Sequence, residues 1–125
     1  EKWFRKQAHG IFNDKTAWLS IRLDLTYQRV YVRGQKTRWG SCSRKGNLSL
    51  NLKLLMAPEP VIDYVILHEL LHLKEMNHSK KFWHLVAQYC PDYKIHRQWL
   101  KENETRILAF FQKNLFKDID VTGRA

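Results

Sequence analysis

Cysteine is scarce in this sequence, and its scarcity excludes two classes of protein. Of the 125 residues only Cys42 and Cys90 are cysteines, and neither has a second cysteine three positions away. Two cysteines form at most one disulfide, which excludes a small disulfide-stabilised scaffold, and a cysteine-rich structural zinc site would lack its ligands. We therefore expect the protein to work in a reducing, cytoplasmic setting.

Long hydrophobic runs are also absent. The longest apolar stretch, residues 65–73, is interrupted by His68, Glu69 and His72, so it falls short of the ~20 apolar residues that cross a bilayer. With 44% hydrophobic residues the chain can still bury one core. The composition therefore predicts a globular protein that does not cross a membrane.

The expected organisation is a single domain over residues 1–125. The chain begins with Glu1 rather than Met, and we expect it to be the C-terminal part of a longer protein. Apolar and charged residues alternate only weakly beyond residue 104, which predicts a C-terminal helix with a frayed end. We treat residues 106–125 as a C-terminal tail.

Acidic residues are missing from the segment 25–54, although the whole chain carries a net charge of +10. This basic segment contains seven cations: Arg29, Arg33, Lys36, Arg38, Arg44, Lys45 and Lys53. A field of one sign favours a nucleic acid or another acidic partner, whereas solvated strand faces kept soluble by Lys and Arg are the simpler interpretation.

The periodicity of apolar residues predicts an α+β fold. Residues 2–24 have helical spacing, as one long helix or two short ones broken near Gly10. Alternation over residues 27–33 and 46–54 predicts two strands, which we expect to pair antiparallel, with the second near an edge because its outer face is polar. The Gly- and Ser-rich connection between them indicates a loop with a short strand inside it.

The second half of the chain is predicted to be helical. Pro58 suits the start of a helix that should run to about residues 74–75. Ser79 is typical of an N-cap and predicts a helix to about Tyr89, and a further helix should follow Pro91.

Three polar residues interrupt the apolar helix after Pro58, in the sequence His68-Glu69-Leu-Leu-His72. The two histidines are one turn apart on one helix face, close enough to share a metal ion. Glu69 points about 100° away around the helix, which suits a group that contacts the metal's water rather than the metal. A pair of hydrogen-bonded core histidines is the competing interpretation. The HExxH pattern favours a catalytic zinc site.

A catalytic zinc site needs a third protein ligand and one open position. His78 lies just past the predicted helix end, where the chain can turn back toward the metal. The competitors are His84, Glu102 and Glu104. We interpret the remaining histidines, His9 and His96, as packing or surface residues.

The chemistry predicted by this pattern is metal-assisted hydrolysis of a peptide bond. Glu69 would take a proton from the metal-bound water as it attacks a carbonyl, and would pass that proton to the leaving amine. Candidates for stabilising the transition state or contacting the substrate are Arg38, Tyr93, His96 and Arg97. The polar side of the strand 48–54, which includes Asn51, is expected to pair with an extended peptide.

Four segments resemble the YgjP-like metallopeptidase family: RWGSCS (38–43), NLSLNLKLLMAP (47–58), VIDYVILHELLHLKEMNHSKKFW (61–83) and PDY (91–93). The resemblance implies a minimal zincin fold, in which a small antiparallel sheet packs on the HExxH helix with further helices. It also implies one zinc ion on His68, His72 and His78, with Glu69 as the base. The family is similar to the SprT/Spartan and WLM proteases, some of which cut proteins crosslinked to DNA.

Two functions therefore compete at this point. The first is a zinc peptidase that acts on proteins, including DNA-associated ones. The alternative is a nucleic-acid-binding module with a structural zinc site and no hydrolytic activity, in which the basic segment meets phosphates and Trp39, Tyr27 and Tyr31 stack on bases.

Overall fold

The computed structural model describes residues 2–34 and 38–114. It shows four helices and a three-stranded mixed sheet, the α+β class expected from the sequence. Lys36 of the basic segment and residues 115–125 of the predicted tail lie outside the described residues. No helix in the described part of the chain is long and apolar enough to span a membrane.

The first helix, α1 (Lys2–Leu23), is continuous through Gly10. Ala8, Phe12 and Leu23 are buried on its core side, and this packing holds the helix together across the glycine. Asp24 ends α1 in the left-handed conformation, with φ of 54°. The sequence left one or two helices open, and the structure has one.

The sheet consists of β1 (Arg29–Arg33), β2 (Gly40–Cys42) and β3 (Asn47–Asn51) in the order β1-β3-β2. The central strand β3 runs parallel to β1 and antiparallel to β2. The predicted antiparallel pairing of β1 with β3, and the edge position of β3, are therefore wrong. A tight turn closed by the Gly46 N–H and the Ser43 carbonyl (3.0 Å) makes β2 the hairpin partner of β3, which leaves the other side of β3 to β1.

The strand β3 is also shorter than predicted. Asn51 is buried, and its amide nitrogen donates to the carbonyl of Arg38 (2.6 Å) while its side-chain oxygen accepts from the N–H of Lys53 (2.9 Å). This cap turns the chain into a 3₁₀ helix, Leu52–Met56. Leu52 and Leu54 are buried there, as they would have been in a strand.

The remaining helices are α2 (Glu59–Leu71), α3 (Lys80–Tyr89) and α4 (Tyr93–Asn114). α2 is buried on most sides, ends three to four residues earlier than predicted, and continues as a turn from its C-cap residue, His72. The predicted N-cap is present, because the Ser79 hydroxyl accepts from the N–H of Phe82 (3.3 Å). The two helices predicted after Pro91 are one helix, α4.

Candidate metal centre

Three histidine side chains converge at the end of α2. His68 and His72 come from α2 and its C-cap, and His78 comes from the turn before α3. The Nε2 atom of His78 lies 3.1 Å from Nε2 of His68 and 3.2 Å from Nε2 of His72. A tetrahedral zinc ion with Zn–N distances of about 2.0–2.1 Å holds its nitrogens roughly 3.3 Å apart. Within the described ranges this is the only group of three metal-binding side chains whose ligand atoms lie within 4.8 Å of one another.

The second ring nitrogens of the two α2 histidines are held by neighbours. Nδ1 of His72 lies 3.0 Å from the carbonyl of Glu75, and Nδ1 of His68 lies 3.2 Å from the hydroxyl of Tyr64. A carbonyl only accepts, so Nδ1 of His72 carries the proton and donates it, which leaves a lone pair on Nε2. A proton on Nδ1 of His68, donated to Tyr64, directs its Nε2 lone pair to the same point.

Burial keeps these imidazoles neutral. Loss of solvation lowers the pKa of His68 to about 3, with a further contribution from the neighbouring His72 and His78. Loss of solvation also lowers the pKa of His72. Neutral imidazoles are the form that binds a metal, so His68 and His72 fit zinc as donors.

Aromatic rings from α3 and α4 pack around the histidines. The ring of Phe82 stacks on His72 with centroids 4.4 Å apart, and Trp83 stacks on His78 at 5.8 Å. Tyr93 stacks in turn on Trp83 at 5.4 Å. The start of α3 therefore fixes the orientation of His78, the one histidine of the cluster that lies outside α2 and its C-cap.

Glu69 faces the same cavity from a buried position. Its side chain is only 7% exposed, and burial raises the pKa of its carboxyl to about 8, against the opposing charge of Arg38. Gly40 of β2 lies beside it: a Cβ atom there would stand 3.1 Å from Cγ and 3.3 Å from Oε2 of Glu69. The glycine allows the edge strand to approach the carboxylate closely.

The cavity has a volume of about 550 Å³. Its walls come from α2, β2, α4 and the turn before α3, and its polar lining residues are Arg38, Ser41, Cys42, Tyr64, His68, Glu69, His72, His78 and Arg97. Glu69 is the only carboxylate among these lining residues. The cavity thus combines three metal donors, one carboxylate and two guanidinium groups.

The structure separates the other candidates proposed from the sequence. Arg38 and Arg97 line the cavity, and Arg97 lies 4.5 Å above the ring of Trp83. Tyr93 and Asn51 do not line it: Tyr93 stacks behind Trp83, and Asn51 caps the 3₁₀ helix. His96 packs 5.9 Å from the ring of Tyr64 in a second pocket, which includes Cys90.

The competing third ligands lie elsewhere. His84 is exposed on α3, Glu102 accepts a hydrogen bond from Gln98 (2.8 Å), and Glu104 lies on α4. None of these three belongs to the histidine cluster.

Sequence reasoning did not assign Tyr64, Gly40, Ser41 or Cys42 to the site. Tyr64 lies four positions before His68 on the same helix face, and that spacing was an available signal. Gly40 and Cys42 reach the cavity through the sheet, which no local pattern reveals. Burial, followed by the charge of Glu69, raises the pKa of the Cys42 thiol to about 11, so this residue is not an activated nucleophile.

Comparison with known proteins identifies the family. The model of the YgjP-like metallopeptidase domain matches residues 1–103. The metallopeptidase zymogen of Methanocaldococcus jannaschii jannalysin is 26% identical with a TM-score of 0.57, covering 67% of this chain and 90% of that one. The zymogen of Pyrococcus abyssi abylysin is 25% identical with a TM-score of 0.58, covering 83% of this chain and 94% of that one.

A curated relative carries a different name. It is the UTP pyrophosphatase of Escherichia coli strain K12, 46% identical over 37 residues, which are 30% of this chain and 22% of the relative. The match thus spans about a fifth of that protein's length. From the family match and the two structural neighbours, this chain belongs to the YgjP-like metallopeptidase family.

Proposed function

We propose that this chain is a zinc-dependent peptidase in which His68, His72 and His78 hold one zinc ion and Glu69 transfers protons. The family and its structural neighbours support a metal-dependent peptidase. The observation that carries the finer proposal is the convergence of three Nε2 atoms beside one buried carboxylate in one cavity. Three protein ligands leave a position open for substrate or water, as in catalytic rather than structural zinc sites.

The bound zinc would supply Lewis acidity, lowering the pKa of water and polarising a carbonyl. Glu69, which lines the same cavity as the three histidines, would accept the proton of the attacking water and pass it to the leaving amine. Tyr64 and the Glu75 carbonyl keep the α2 imidazoles oriented during this transfer.

Two arginines are placed to meet negative charge on the reacting carbonyl or the substrate. The two reach the cavity from different elements, because Arg38 lies just before β2 and Arg97 lies on α4. Arg97 is held over the ring of Trp83, which itself stacks on His78. We therefore assign transition-state stabilisation to Arg97 and substrate binding to Arg38.

The edge strand β2 is the proposed docking site for an extended peptide. It pairs on one side with β3 and, within the described residues, with no other strand on its outer side. Gly40, Ser41 and Cys42 all line the cavity. Strand addition, expected from the sequence at β3, is therefore assigned to β2, because β3 is the central strand.

The test is hydrolysis of casein and of a quenched fluorescent peptide library by zinc-loaded protein. We expect activity that a chelator removes and zinc restores. Glu69→Gln should lose at least about 100-fold in rate because general base catalysis contributes 10²–10⁴-fold. Glu102→Gln, which alters a carboxylate outside the cavity, is the matched control. Equal rates for the two variants would refute the role of Glu69.

Phosphoanhydride hydrolysis is a second candidate function. The curated relative is named a UTP pyrophosphatase, and the two arginines of the cavity suit a polyphosphate. The same preparations should be incubated with UTP and assayed for pyrophosphate. Release of pyrophosphate without peptide cleavage would replace the peptidase proposal.

The structural-zinc hypothesis leaves Glu69 unexplained. A structural site has no use for a buried carboxylate beside its ligands, and burying one is costly. This hypothesis predicts that Glu69→Gln raises stability and that wild-type protein hydrolyses neither peptides nor UTP.

The proposal also includes action on DNA-associated proteins, which the positively charged, acid-free segment 25–54 supports. It includes a cytoplasmic location, with which the free thiols of Cys42 and Cys90 are compatible. Faster cleavage of a DNA-binding protein in the presence of DNA than in its absence is the expected result.

A further inference from the structure

A groove lies between α1 and β1, and it is distinct from the metal cavity and from the pocket that contains His96 and Cys90. One wall is a polar face of α1 whose residues recur at helical spacing: Lys2, Arg5, Lys6, His9 and Asn13. The opposite wall is β1 and the segment before it, with Tyr27, Gln28, Arg29 and Tyr31 among its residues. The groove has a volume of about 730 Å³.

The charge of this groove has one sign. Four cations line it, and no carboxylate of the described residues does. Asp14, the only acid in α1, lies outside the lining. The side chain of Arg5 is fixed in place, because its Nη1 donates to the carbonyl of Val32 (2.7 Å). Such a groove concentrates positive potential along a path rather than at a point.

Two tyrosines, Tyr27 and Tyr31, line the groove together with these cations. Tyr27 and Tyr31 are partly exposed, and the guanidinium of Arg33 lies 4.8 Å from the ring centre of Tyr31. Cations that follow a backbone, with aromatic faces between them, form the arrangement that binds single strands without sequence preference. A duplex keeps its bases stacked inside the helix, so it would use the cations and leave the rings unused.

We propose that this groove binds single-stranded nucleic acid, with phosphates on Lys2, Lys6 and Arg29 and a base stacked on Tyr27. The proposal does not rest on the zinc site or on the proposed peptidase activity. β1 and β2 form opposite edges of the sheet with β3 between them, and no residue lines both the groove and the metal cavity.

The test is fluorescence anisotropy of a labelled 15-nucleotide oligothymidine with the purified chain. Lys2→Ala/Lys6→Ala removes two charges from the groove, and Lys94→Ala/Lys101→Ala removes two exposed charges from α4 as the matched control. With a salt slope of about −0.7 per phosphate contact, the groove variant should bind about 25-fold more weakly at 0.1 M salt and about 10-fold more weakly at 0.2 M. The control should stay within about twofold of wild type.

A second pair of variants tests the ring. Tyr27→Leu keeps an apolar side chain against the core and removes the flat face, and it should weaken binding by about 5- to 150-fold, the usual range for losing one stacked base. Tyr27→Phe should keep wild-type affinity.

Four results would overturn the proposal. The first three are the absence of binding by wild type at 0.05 M salt, equal weakening by the two lysine pairs, and tighter binding of a duplex than of the single strand. Displacement of the oligonucleotide by an equal charge concentration of polyglutamate is the fourth, because an acidic polypeptide offers no bases to stack. Melting curves of all variants confirm that the fold is intact.

Discussion

The hydroxyl of Tyr64 offers a sharp test of how the centre is built. Tyr64→Phe removes only the oxygen that lies 3.2 Å from Nδ1 of His68, and it keeps the ring contacts with His68 (5.8 Å) and His96 (5.9 Å). The residue is 4% exposed, so water does not readily replace the lost partner. The proton on Nδ1 would then be left unpaired in a buried site.

The magnitude follows from that unpaired proton. Leaving a buried donor unsatisfied costs about 1–3 kcal/mol, and loss of a comparable partner of a metal-bound histidine typically lowers metal affinity 10–100-fold. Those fold-changes correspond to about 1.4–2.8 kcal/mol, so the two estimates agree. We therefore expect the zinc Kd of Tyr64→Phe to rise by one to two orders of magnitude.

The assay is competition for zinc with a chromophoric chelator, which needs no enzymatic activity. Tyr93→Phe is the matched control, because Tyr93 stacks on Trp83 and its hydroxyl contacts no zinc ligand. An unchanged Kd in Tyr64→Phe would show that this hydroxyl does not orient His68. Equal weakening in the two variants would point to aromatic packing instead.

Three further substitutions test other parts of the structure. Gly40→Ala places a Cβ 3.1 Å from Cγ of Glu69, so peptide hydrolysis should fall at least about tenfold while zinc stoichiometry is unchanged; unaltered hydrolysis would contradict the close approach. Lys15→Met removes the hydrogen bond that lowers the pKa of Glu59, so the variant should melt below wild type at pH 7. The difference should shrink as the pH falls below 4.5 and through the lowered pKa of Glu59. A difference that grows in acid would refute this assignment. Ser79→Ala removes the N-cap of α3 and should lower the free energy of unfolding by about 1 kcal/mol in urea titrations, whereas no change would show that the cap is dispensable.

Local patterns in the sequence were sufficient for most elements. Helices with strong caps or prolines, such as the one that begins after Ser79, depend on neighbours within a few residues. The direction of β3 could not be predicted, because period-two alternation assigns faces to a strand but is the same for parallel and antiparallel pairing. The early end of β3 depended on the long-range bond from Asn51 to Arg38.

The residues of the candidate site also fall into those that local spacing predicts and those that only the tertiary fold brings together. His68 and His72 lie four residues apart, so their spacing alone predicts that their rings come together, and His78 follows six residues after His72. Gly40 and Arg97 reach the cavity from β2 and α4, and only the tertiary fold brings those elements to α2. Sequence reasoning could name Arg97 among several candidates but could not distinguish it from Tyr93, which lies behind Trp83.

The most direct test of the central claim is the zinc content of the purified chain, measured by mass spectrometry on wild type, His78→Ala and His84→Ala. The account predicts about one zinc per chain in wild type and in His84→Ala, because His84 lies outside the cluster, and a sharp loss in His78→Ala. Wild-type protein without metal after zinc is supplied, or full zinc retention by His78→Ala, would contradict the three-histidine centre.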